Sequence, residues 1–206
     1  VRTYPDTVFP AWVEDAAAAV RWARDHAAAL GGDPARVFVV GHSSGAHTAV
    51  LLTRDPRYLR AAGVPTGPDG AVRGAVGLAG PVDTTWTDPD VQALMGPRAG
   101  WPATYPATFA DTADPPLLLL HGAADRTVRA SNAVDFAARV RARGGCARAV
   151  VYRGVRHVEL VGPLVVPALG NREVLRAVAA FVADPVATAC PDAGRQCRVL
   201  RRRPRQ

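Results

Sequence analysis

The sequence has no lysine: all 25 of its basic residues are arginine. With abundant alanine, proline, glycine and valine, that bias marks GC-rich coding sequence rather than a polyanion-binding surface. The net charge of +7 is also local. Arg195, Arg198, Arg201, Arg202, Arg203 and Arg205 crowd the last twelve residues with no acid among them, so the remainder is nearly neutral. Nucleic acid is therefore not an expected partner. No apolar run approaches the roughly 20 residues that span a bilayer. The expectation is a cytoplasmic protein, and with the start read as missing no secretory leader enters the argument. The five histidines are scattered without the spacing of a ligand set, so neither a metal nor an organic cofactor is implied. At 206 residues and 49% hydrophobic, the chain is long enough to bury a real core.

What is present centres on Val37-Phe38-Val39-Val40-Gly41-His42-Ser43-Ser44-Gly45-Ala46-His47. Four β-favouring residues run into Gly-X-Ser-X-Gly, and Ala46 to Thr53 reads as a helix. That is a strand-to-helix corner with Ser43 at its tip, and Gly41 and Gly45 are expected to permit close backbone approach. A serine hydroxyl is a poor nucleophile at neutral pH and needs a base, which in turn needs an acid to orient it. In this architecture the acid follows the serine and the histidine follows the acid. The apolar run Pro116 to Leu120 reads as a strand buried on both faces and ends at His121-Gly122-Ala123-Ala124-Asp125. A shorter strand, Ala149 to Tyr152, leads to His157. Ser43, Asp125 and His157 thus converge on the strand edge where open α/β sheets bind ligands. Asp83, after the strand Ala71–Leu78, is the rival acid; Glu159 reads as solvated. His42 is placed away from the tip, His47 a turn along the helix, and both read as structural.

These motifs resemble those of α/β-hydrolases of the carboxylesterase and lipase kind. The similarity rests on Phe9-Pro10-Ala11 with Glu14-Asp15, Gly31 to Arg36, Gly41 to Gly45, Leu119 to Asp125 and Gly154 to His157, blocks that occur in this order in bacterial esterases. The resemblance implies that Ser43 is the nucleophile, Asp125 the orienting acid, His157 the general base and the Ser44 N–H one oxyanion donor. It also implies a mostly parallel sheet covered by helices, of which about four to five strands are present. The family's His-Gly-Gly loop is absent and the chain opens at Val1, which reads as the carboxyl-terminal part of a longer hydrolase. The resulting open sheet edge would favour a homodimer.

Residues 1–186 read as the catalytic domain and 187–206 as a basic, disordered tail. Helices are expected at Trp12–Leu30, Asn132–Arg143 with Ser131 as its cap, and Asn171–Ala183, while Arg54–Asp69 reads as irregular. The long segment Thr84–Asp114 is expected to form a lid or pocket wall, with Trp86, Trp101, Tyr105 and also His42 lining the substrate, or else its aromatics simply pack a surface loop. Cys146 reads as a buried hydrophobe; Cys190 and Cys197 could pair or stay free in the tail. The function expected is hydrolysis of a small carboxylic ester through an acyl-enzyme, with amide cleavage, or a weakly active fragment lacking the upstream oxyanion loop, as the alternatives.

Overall fold

The computed structural model describes residues 1–67, 70–165 and 172–190. Four strands, β1 (Val37–His42), β2 (Val72–Leu78), β3 (Leu117–Gly122) and β4 (Ala147–Tyr152), form one sheet in the order β1-β2-β3-β4 with every pair parallel. Parallel neighbours need crossovers, and the helices supply them. Helix α1 (Ala11–His26) precedes β1; α2 (Ser44–Arg54) and α3 (Pro56–Ala61) lead to β2; α4 (Pro89–Met95) and α5 (Pro106–Phe109) lie between β2 and β3. Helix α6 (Ser131–Ala142) joins β3 to β4, and α7 (Gly162–Val165), α8 (Arg172–Ala183) and α9 (Pro185–Ala189) follow.

Alternation in the strands divides the core. On one face Ala75, Leu117 and Leu119 pack with Val50 of α2 and Phe136, Ala137 and Val140 of α6. On the other, Val76, Leu118 and Leu120 meet Val174 and Phe181 of α8. The interior strands β2 and β3 are therefore almost wholly buried, as the continuous run of leucines requires. The outer strands are not: Val40 of β1 is 44% exposed and Val151 of β4 is 40% exposed.

Several expectations are corrected. The residues Arg54–Asp69, expected to be irregular, include helix α3, and the long segment Thr84–Asp114 holds α4, a 3-10 helix Arg98–Thr104 and α5. In each of α3, α4 and α5 a proline takes the first turn, where it has no hydrogen bond to lose. Asp55 and Asp88 cap α3 and α4 by accepting from backbone N–H groups. The first helix ends at His26 instead of Leu30 and buries Val13, Ala17 and Val20, while Ala23 and Leu30 are exposed. Ser131 begins α6 rather than capping it. Cys146 is not a free hydrophobe: it forms a disulfide with Cys190, 44 residues on, with Cα atoms 5.2 Å apart. Helix α9 crosses the expected boundary at residue 186 and that disulfide ties its end to β4; the rest of the expected tail, with Cys197, lies outside the described residues.

Candidate active site

Ser43 stands between β1 and α2 with φ 56°, ψ −121°, a conformation that a residue with a Cβ adopts only where its surroundings impose it. Two features impose it. A Cβ on Gly41 would overlap the Gly45 carbonyl, so only glycine lets the strand and helix close so tightly. The Ser43 N–H also donates to Leu78 O across the sheet at 2.9 Å. Gly45, by contrast, faces open space, so the sharpness of the corner rests on Gly41.

The acid arrives from β3. Asp125 is buried, and its Oδ1 accepts from the N–H groups of Thr127 (2.8 Å) and Val128 (3.0 Å). Its Oδ2 accepts from His157 Nδ1 at 2.7 Å. Burial alone would push this carboxyl upward, yet the donors of Val128, His157 and Thr127 together hold it below the usual carboxylate range. It is thus an anion at neutral pH.

His157 follows β4. A Cβ on Gly122 would overlap Val155 O, so that glycine lets the histidine loop lie against the end of β3; Ala124 N–H donates to the same carbonyl at 3.0 Å. With Nδ1–H committed to Asp125, His157 Nε2 is an acceptor, and it lies 2.9 Å from Ser43 Oγ. The three sequence-predicted residues, 114 and 32 positions apart, form one hydrogen-bonded chain. Such an arrangement can deprotonate a hydroxyl as it attacks and return the proton to a leaving group. Ser44 opens α2, in the turn whose N–H groups have no intrahelical acceptor.

The rival acid is elsewhere: Asp83 accepts from Arg139 at 3.0 Å. Glu159 pairs with Arg156 at 2.7 Å on the exposed rim. His47 is buried and donates to Thr104 O at 2.8 Å, with burial pushing its pKa below the ordinary value, so it is neutral and structural. Trp86 is 6% exposed, its indole bonded to Thr104 Oγ1 and its ring against His47 and Tyr105. It packs the segment onto α2. Trp101 donates to Gly96 O within the same segment. Of these bonds, the one from His47 Nε2 to Thr104 O ties the segment to α2.

Sequence reasoning gave His121 no role and set His42 away from the tip. His121, fully buried on β3, directs Nε2 at Val128 O (2.9 Å) and Asp125 Oδ2 (3.3 Å). His42, expected to point away, directs Nε2 at the main-chain oxygen of His157 at 2.9 Å.

Comparison with known proteins is consistent with this geometry. A family model described as BD-FAE matches residues 1–140. Esterase LipC of Mycobacterium tuberculosis is 30% identical over 160 residues, covering 68% of this chain and 39% of that protein. Carboxylesterase NlhH of the same species is 40% identical over 53 residues, 26% of this chain and 17% of that protein. A solved structure, Thermogutta terrifontis esterase 2 phosphorylated by paraoxon, is 26% identical with TM-score 0.55, covering 70% of this chain and 52% of that one. The chain thus spans well under half the length of these two curated relatives.

Proposed function

This chain belongs to the BD-FAE family and has the α/β-hydrolase fold, and from that premise we propose that it hydrolyses small carboxylic esters through a serine acyl-enzyme. The observation that carries the reading is the unbroken hydrogen-bonded chain from Ser43 through His157 to Asp125 at 2.9 and 2.7 Å. Ser43 Oγ attacks the acyl carbonyl while His157 Nε2 takes its proton; the imidazolium then protonates the departing alcohol. Asp125 fixes the tautomer and stabilises the imidazolium. Water, deprotonated by the same His157, attacks the acyl-enzyme and releases the acid and the free serine. The Ser44 N–H supplies an oxyanion contact, and the names of the relatives support an ester as substrate.

The test compares hydrolysis of p-nitrophenyl butyrate and of the matching anilide by this chain and its Ser43→Ala variant. Turnover of the ester, absent in the variant and far slower on the anilide, is expected. Equal loss-free turnover in Ser43→Ala would refute the serine mechanism, and preference for the anilide would replace ester with amide chemistry.

A further inference from the structure

We infer that His42, the residue before the nucleophile, is a positioning residue that sets the register of the general base by gripping its main chain; the inference rests on the serine-hydrolase reading above. A carbonyl oxygen only accepts, so the 2.9 Å contact between His42 Nε2 and His157 O fixes Nε2 of His42 as the protonated nitrogen. The two rings stand 4.8 Å apart at 51°. The consequence lies in connectivity. Ser43 and His157 are 114 residues apart in the chain, and the path between them runs through the loop after β4, whose rim pair Arg156–Glu159 is exposed. The His42 bond closes a short ring: the peptide joining His42 to Ser43, the Ser43 Oγ to His157 Nε2 contact, the His157 residue itself, and the return from His157 O to His42. The attack distance is thereby referenced to the elbow directly. A misplacement of about 1 Å can cost about a hundredfold in rate, so this bond acts on turnover and not on substrate affinity.

His42→Phe keeps a flat ring and removes the donor; His42→Gln keeps an N–H of similar reach. On p-nitrophenyl butyrate, His42→Phe is expected to lower kcat by about tenfold or more with KM little changed, and His42→Gln to regain most of the loss. Wild-type kcat in His42→Phe, or equal loss in both variants, would overturn the inference, because the hydrogen bond would then not be the cause. Failure of the wild-type chain to turn over the ester would count against the hydrolase reading instead. Nitrogen-15 NMR of labelled histidine decides the geometry without activity: a proton on His42 Nε2 is expected, and a spectrum showing His42 with Nε2 bare and the proton on Nδ1 would overturn the inference.

Discussion

Two carboxylates, one buried and one partly buried, at opposite ends of one sheet, show how differently the same fold treats a charge. Asp125, beyond the carboxyl end of β3, receives two backbone N–H groups and an imidazole and is held low. Asp114, before the start of β3, sits beside the guanidinium of Arg54 at 3.4 Å, and its pKa is pushed up to about 6 by burial, which Arg54 only partly offsets. Arg54 is itself brought down to about 10 by burial. It donates through Nη2 to Pro115 O, while its buried Nε and Nη1 lack hydrogen-bond partners. The count and aim of donors, more than the presence of an opposite charge, separate the two acids. One end is built for an anion that must stay charged; the other tolerates an imperfect pair.

The comparison predicts that changes at the Asp125 end cost activity and changes at the Asp114 end cost stability. Asp125→Asn should reduce turnover about 10⁴-fold, the loss known for the equivalent change in a serine protease triad, with thermal unfolding within a few degrees of wild type; a mild kinetic loss would erase the contrast. Arg54→Met leaves the partly buried Asp114 without its cation, though still accepting the Asp111 N–H at 2.7 Å, and should cost about 1–3 kcal/mol in denaturant unfolding, while the rate of ester hydrolysis by the folded fraction stays unchanged. Combining it with Asp114→Leu should recover most of that loss. Removing the Cys146–Cys190 link by a double serine substitution releases a 44-residue loop and should cost about 2–4 kcal/mol, read as a lower melting temperature without a change in kcat. The smallest effect is on pH dependence. Because the Asp114 pKa is raised from 3.8 to about 6 in the folded chain, stability falls as pH rises between those values and is level above them. The lowered Asp125 acts oppositely, its contribution being present above 3.8 and lost as pH drops below it. Asp114→Asn should remove the decline between pH 4 and 6 and leave the acid loss intact.

The Asp125 end was legible in the sequence and the Asp114 end was not, for a physical reason. Ser43, Asp125 and His157 each follow directly from a β-run, and a parallel sheet brings the carboxyl ends of its strands to one edge, so local patterns fixed a tertiary cluster. Arg54 and Asp114 belong to no such pattern; they meet because α2 ends where β3 begins. The Cys146–Cys190 pair is hidden for the same reason. The segments around Asp55-Pro56 and Asp88-Pro89 hold short helices because an aspartate before a proline is also a capped helix start. In α1 the run Ala16–Ala19 offers nearly equal faces, so periodicity could not say where burial stops. His42 was placed from its position in the Gly-X-Ser-X-Gly motif alone, and its bond to the His157 main chain, 115 residues away, leaves no local pattern.

The most direct test of the central claim is to treat the chain with a fluorophosphonate and map the adduct by peptide mass spectrometry, beside Ser43→Ala and His157→Ala. One adduct per chain on the peptide containing Ser43, absent from the first variant and strongly slowed in the second, is the predicted result. A folded chain that forms no adduct, or one that carries it on another residue, would contradict the assignment of Ser43, His157 and Asp125 as a working triad.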